Sequence, residues 1–441
     1  LEITSFKSIH KIAIPAIIAG IAEPILSSTD AAIVGNISIN AKEALAAVGI
    51  VGSFLSMLIW ILGQTRSVIS SIISQYLGAN KLDEIKTLPA QAIALNIVLS
   101  IIVLGATYFF AGTIFELLKA KGLVLEYSLE YYNIRVWGFP FTLFIFAVFG
   151  IFRGLQNTYW PMVVATIGAV LNIVLDFAFV YGIKNWIPAM HIKGAALASL
   201  ISQIVMALLA LILLIKKTNI SLKLHRIIHP EINRLLRMSG NLFLRAISLN
   251  VALLMAVRAA TELGDAYIAA HAIAINVWLF TAFFIDGYAS AGNIYGGRLK
   301  GAQQLEQLTI LVKKVVIYGL IVGIILMGIG FVFYKSIGHI FTSETEVLQL
   351  FYAMFFMVIL LQPTNAIAFV LDGVFKGLGE MRYLRNLLFA STFLGFLPTL
   401  FITQYFNLRL IGIWIALAVW LLFRSIGMFI KFKKKYSFKI F

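Results

Sequence analysis

Apolar stretches of about 20 residues, the length of helix that crosses the hydrocarbon core of a bilayer, recur along almost the whole chain. Leu95 to Ala111, Ala195 to Ile215 and Leu311 to Tyr334 are examples. Inside lipid every backbone N–H and C=O must find its partner within the protein, which leaves only helices and closed barrels as spanning structures. Stretches this long, without a polar residue at every second position, select helices. Cutting at polar or glycine-containing breaks predicts twelve of them, near 10–36, 44–77, 87–112, 127–152, 159–183, 194–215, 232–261, 265–297, 304–334, 347–375, 384–404 and 410–432. Several exceed the hydrocarbon thickness, so tilt or protrusion is expected. With 61% hydrophobic and only 12% charged residues, the chain cannot present a water-soluble surface.

The two halves match without a gap. An offset of 223 residues carries Leu45-Ala46-Ala47 onto Ile268-Ala269-Ala270 and Pro140 onto Pro363. The same offset carries Gly150-Ile151-Phe152-Arg153-Gly154-Leu155 onto Gly373-Val374-Phe375-Lys376-Gly377-Leu378. Each copy holds six helices, an even number, so both cross the membrane in the same sense and form a parallel repeat. The expected fold is an all-α polytopic membrane protein of twelve transmembrane helices in two six-helix lobes. Residues 1–215 are the expected N-lobe, 216–237 a basic linker running into helix 7, and 238–441 the C-lobe with a basic tail.

Most of the 35 Lys and Arg fall in loops on the side of both termini, among them Lys216, Lys217, Lys223, Arg226, Arg234 and Arg237. By the positive-inside rule both termini are cytoplasmic and the protein is a multi-pass plasma-membrane protein. This asymmetry accounts for most of the +16 net charge, so no nucleic-acid partner is implied. The tail Lys431-x-Lys433-Lys434-Lys435 is read as a contact with membrane lipids. Helix 1 is too long and lacks the small-residue site of a cleaved signal peptide. The absence of cysteine excludes disulfides and thiolate metal sites. No His-Glu metal motif, Ser-His pairing or pore loop is seen, so an enzyme or a channel is a remote reading and no cofactor is implied.

Chemistry must then reside in the few ionisable groups inside the spans, since each acid at mid-bilayer costs about 2.5–3.5 kcal/mol on insertion scales. Five acids qualify: Glu23 and Asp30 on helix 1, Asp176 on helix 5, Asp286 on helix 8 and Asp372 on helix 10. On helix 1, Glu23, Ser27 and Asp30 share one face. Pro15 and Pro24 each remove a backbone hydrogen bond and are the expected bending points. Asn172 and Asp176 lie one turn apart on helix 5, and helix 6 offers Ser199 and Ser202. These oxygen donors suit Na⁺ or a proton. The offset of 223 places Leu253, Thr399 and Gly395 where the first copy has Asp30, Asp176 and Asn172, and Leu417 falls near the counterpart of Ser199. The second copy packs without these groups, so they point to a site in the N-terminal half. The alternative is that Asp30 and Asp176 only hydrogen-bond neighbouring helices.

At these residues the chain resembles the multidrug and toxic compound extrusion (MATE) family, with its DinF-like branch most similar. The resemblance rests on Pro15, Asp30-Ala-Ala-Ile-Val-Gly35, Arg135-Val-Trp-Gly-Phe-Pro140, Gly150-x-x-Arg153-Gly-Leu-Gln-Asn157-Thr-x-x-Pro161 and Asn172-x-x-x-Asp176. Gly194-Ala-Ala-Leu-Ala-Ser199, Asp286-Gly-Tyr-Ala and Leu371-Asp-Gly-Val-Phe-x-Gly377 complete it. It implies a monomeric antiporter that expels small organic compounds in exchange for Na⁺ or H⁺ by alternating access. It also implies a cation site at Asp30, Asn172, Asp176 and Ser199, with Ser199 standing where threonine is usual. Glu23, Ser27 and Ser202 are possible supporting groups. Asn365 departs from the branch that has aspartate there, so no cation site is carried over to the C-lobe.

Gln64, Arg245, Asp286 and Asp372 are candidates for substrate contact or gating, and Arg66 could also face the cavity. Arg245 and Arg258 are expected to pair with Asp286 and Asp372 as buried ion pairs. His271 is expected to be a hydrogen-bonded interior group. With those arginines paired and the N-half groups mainly acidic, lipophilic organic cations rank first as cargo. A flippase for lipid-linked oligosaccharide precursors is the alternative function, and it would call for a more cationic cavity.

Overall fold

The computed structural model is built of helices, with no β-strand among the residues it describes. Those residues are 3–37, 40–184 and 186–436, less the side chains of Glu23, Pro24, Leu26, Ser27 and Ser28. The expectations placed on Glu23, Pro24 and Ser27 therefore lie outside the described residues. Helix α1 is Phe6–Val34, whose 29 residues exceed the length of a span. There follow α2 Ala41–Gly78, α3 Leu82–Phe109, α4 Leu123–Gly154, α5 Tyr159–Val180, α6 His191–Lys217 and α7 Glu231–Leu263. The series ends with α8 Asp265–Gly301, α9 Leu305–Phe341, α10 Thr345–Gly377, α11 Met381–Tyr405 and α12 Arg409–Tyr436. Each of α2 to α12 is long and apolar enough to cross a membrane. The twelve-helix reading holds, with ends shifted by a few residues.

The helices divide into two units. One comprises Ile18–Ile73 and Lys81–Leu236, the other Leu1–Ile17, Ser74–Asn80 and Arg237–Phe441. The division passes through α1 after Ile17 and through α2 after Ile73. The first unit is centred on Val34, Ala44, Val51, Phe115, Tyr132 and Ala195, all buried. Small residues do much of this packing because, in lipid, helices associate through close backbone approach. Gly194 shows the need: a Cβ there would lie 2.6 Å from the carbonyl carbon of Phe179. The second unit has an aromatic interior of Trp278, Phe351, Phe355, Trp414 and Trp420. There α10 meets α8 at Gly377, where a Cβ would lie 2.8 Å from the Asn293 Cα.

Four spans are not continuous α-helix, and in α3 a 3₁₀ turn over Leu82–Ile85 precedes the α-helix that begins at Leu88. In α2, helical geometry stops at Leu62 and resumes at Thr65. The Thr65 hydroxyl lies 3.0 Å from the Leu62 carbonyl that the break releases. In α4, Pro140 has no N–H to offer Val136, and the chain tightens into a 3₁₀ turn over Val136–Gly138. The Phe139 N–H then donates to the Val136 carbonyl. In α11, Ser391–Phe396 forms a π-turn.

Candidate cation site and cavity

Asp30 lies in the last turns of α1, Asn172 and Asp176 one turn apart on α5, and Ser199 near the start of α6. All four are buried in the first unit. The structure brings them together through one amide. Asn172 Nδ2 donates to Asp30 Oδ1 at 2.8 Å and to Asp176 Oδ2 at 2.6 Å. Ser199 Oγ donates to Asp30 Oδ2 at 3.1 Å. Asp30 thus has both oxygens engaged, whereas Asp176 Oδ1 is buried without a donor among the described residues. One amide nitrogen bridges the two carboxyl groups, which holds them close together. Two carboxylates this close in a low-dielectric interior do not both stay charged unless a proton or a cation joins them. The donor set is carboxylate, amide and hydroxyl oxygen, which suits a hard monovalent cation as well as a proton.

Beside this cluster lies a cavity of about 160 Å³. Asp30, Asn172, Ser199 and Ser202 form its polar side, and Leu55, Ile145, Phe146, Phe149 and Met206 its apolar side. The Ser202 hydroxyl is buried without a hydrogen-bond partner among the described residues.

Arg66 and Arg135 also line the cavity, and Gln64 does not. Sequence reasoning weighed Arg66 and passed over Arg135. The signal was present, because each arginine follows or precedes a helix breaker: Gly63 for Arg66 and Pro140 for Arg135. A broken span can aim a long side chain inward, where an unbroken one would carry it round the helix. The first unit's cavity is therefore not mainly acidic, which corrects the basis on which cations ranked first as cargo.

In the second unit Asp372 is the centre of a buried ion cluster. Arg245 Nη2 approaches it to 2.5 Å, Lys376 Nζ to 3.0 Å and Arg424 Nη2 to 3.8 Å. Arg258 pairs instead with Glu262, 3.0 Å away at i+4 on an exposed face. The expected pairing of Arg258 with Asp286 or Asp372 is therefore absent, for a local reason: Glu262 is one turn away. Asp286 is half-buried and forms no ion pair among the described residues. His271 is fully buried, but neither ring nitrogen has a hydrogen-bond partner among the described residues. It packs beside Trp414 with ring centroids 5.8 Å apart, so the expected hydrogen bond is replaced by an aromatic contact.

The MatE family model matches residues 15–178 and 242–401, one segment in each repeat. The DNA damage-inducible protein F of Escherichia coli is 26% identical over 438 residues, covering 96% of this chain and 91% of its own length. The Arabidopsis thaliana protein DETOXIFICATION 44, chloroplastic, is 28% identical over 436 residues, 95% of this chain and 80% of its own. The probable multidrug resistance protein NorM of Thermotoga maritima is 24% identical over 424 residues, 95% of this chain and 90% of its own. Among solved structures, a MATE protein in a bent conformation superposes with a TM-score of 0.89 at 21% identity, covering 98% of this chain and 95% of that one. A MOP-superfamily transporter of Pyrococcus furiosus superposes at 0.90 and 21% identity, covering 98% of this chain and 96% of that one. With a family model spanning both repeats, this chain belongs to the MatE family of multidrug and toxic compound efflux transporters.

Proposed function

We propose that the chain is a secondary antiporter of the DinF-like branch that exports lipophilic organic compounds in exchange for Na⁺ or H⁺. It works as a monomer in the plasma membrane with both termini cytoplasmic. Residues 1–215 form the ion-coupled lobe, joined through 216–237 to the lobe of residues 238–441. The observation that carries this reading is the Asp30–Asn172–Asp176 cluster, which includes a donorless Asp176 oxygen and meets a cavity at Asp30 and Asn172.

Entry of a proton or Na⁺ from outside neutralises the acid pair and frees Asn172 from holding two carboxylates. Helix 1, which carries Asp30, then favours a different bend at Pro15 or Pro24, and the reshaped cavity releases cargo outward. Coupling requires only that ion and cargo differ in affinity for the two arrangements, about 1.4 kcal/mol for each tenfold.

The test is dye efflux from proteoliposomes under an imposed Na⁺ or pH gradient. Asp30→Asn and Asp176→Asn should each abolish gradient-driven efflux while the purified protein stays monodisperse. Full ion-driven transport by Asp30→Asn protein would remove the cluster from the mechanism. The flippase reading draws on Arg66 and Arg135, whose charge could receive a lipid-linked pyrophosphate. It is distinguished in the same vesicles by gradient-independent translocation of a labelled polyprenyl-pyrophosphate.

A further inference from the structure

The proposed function accounts for the acid cluster and leaves two charges in the same cavity without a task. Asp30 is the one carboxylate among the described residues lining the cavity, and Arg66 and Arg135 line it with two guanidinium groups. Neither arginine forms an ion pair among the described residues, and the Nε of each is buried without a hydrogen-bond acceptor. Arg66 lies over the Phe146 ring, 5.2 Å from its centroid. Tyr131, one turn before Arg135 on α4, also lines the cavity. Asp30 accepts hydrogen bonds from Asn172 and Ser199 and forms no ion pair with either arginine among the described residues.

A guanidinium carries five N–H donors in a planar fork and stays charged at any pH a protein meets. Two such forks in a partly dehydrated pocket call for an oxyanion, and a carboxylate matches the fork in a bidentate arrangement. Phe146, Phe149 and Met206 supply apolar contact for the ring system that bears it. Asp30, in the lining of the same cavity, attracts a positive group.

We propose that Arg66 and Arg135 form a carboxylate-binding subsite, so that the preferred cargo is an aromatic zwitterion with its acid on the arginines and its cationic part toward Asp30. This rests on the antiporter reading for the identity of the cavity as the cargo site. It explains how cargo and coupling ion compete: the cationic end of the cargo and the ion both neutralise the Asp30 cluster.

Rhodamine 110 and its methyl ester, rhodamine 123, test this, since they share one cationic ring system and differ only in the free carboxylate. Binding is read by fluorescence anisotropy on purified protein in detergent without any ion gradient, with protein-free micelles as the blank. The native protein should bind rhodamine 110 at least about tenfold more tightly than rhodamine 123, the scale of a hydrogen-bonded charge pair. Arg66→Gln and Arg135→Gln should each weaken rhodamine 110 by about tenfold or more and leave rhodamine 123 unchanged, with Arg→Lys restoring part of the loss. Equal binding of the two dyes, or equal losses for both, would overturn the subsite. Should either variant fail to fold, displacement of rhodamine 110 from the native protein by benzoate but not benzamide carries the same test. Equal displacement by both counts against the proposal. Gradient-driven efflux is measured separately, so loss of coupling and loss of carboxylate recognition remain distinguishable.

Discussion

Replacing Asp372 by alanine should be among the most destabilising single changes in the molecule. The carboxylate is buried and faces three cationic groups at 2.5, 3.0 and 3.8 Å. At an effective dielectric constant of about 20, charges at such separations attract by roughly 4–7 kcal/mol each. Desolvation of all four groups offsets most of that sum. What the substitution leaves behind decides the outcome: Arg245, Lys376 and Arg424 remain together with no counter-charge. Breaking a buried pair in this way costs about 3–5 kcal/mol, a factor of at least about 100 in the folding equilibrium. Unfolding in mixed sodium dodecyl sulfate and dodecyl maltoside micelles, followed by tryptophan fluorescence, measures it. Arg258→Ala is the control, since its partner Glu262 is exposed and the pair is worth no more than about 1 kcal/mol. If Asp372→Ala lost less than 1 kcal/mol while ion-driven efflux vanished, the cluster would be transport machinery and the structural argument would be wrong.

His271→Leu should keep or raise stability by about 1 kcal/mol, because it removes two buried nitrogens that have no partner; loss of efflux would instead give the histidine a role in transport. Gly377→Ala should lower stability by at least about 1–3 kcal/mol, since the added methyl meets the Asn293 backbone; an unchanged unfolding curve would show that α8 and α10 can separate freely. Pro15→Ala restores a missing backbone donor inside α1 and should slow turnover in proteoliposomes without changing rhodamine affinity, and equal turnover would remove Pro15 as a bending point.

The spans were legible because lipid leaves the chain no alternative to satisfied backbone, so length and apolarity suffice to place them. Asp30, Asn172 and Asp176 were legible through asymmetry: the second copy of the scaffold dispenses with them. The passage of α1 and α2 from one unit to the other was not, since hydrophobic periodicity marks a buried face and does not name the neighbour that buries it. Arg258 pairs within its own helix because Glu262 stands one turn away, a local alternative to the acids on other helices. Arg135 was missed because it was read only as part of a motif, and its position beside the proline-induced turn went unused. The donorless His271 follows from tertiary packing against Trp414, which no local pattern encodes.

The π-turn of α11 sets the second copy of the repeat apart from the first. The offset of 223 residues carries Asn172 onto Gly395, inside Ser391–Phe396. A π-turn takes up one residue more than an α-turn, which rotates everything beyond it by about 100° around the helix axis. Thr399, the counterpart of Asp176, is spent on its own helix, its hydroxyl donating to the Gly395 carbonyl at 2.7 Å. Gly395 and Thr399 therefore stay one turn apart, and the π-turn changes the face they present relative to the first part of α11. The second copy lacks the acid and amide groups of the first, and its π-turn sets the two parts of α11 at a different angle from an unbroken α-helix. Placing those groups on the face they hold in the first copy would take deletion of a residue from the turn as well as substitutions at Gly395 and Thr399.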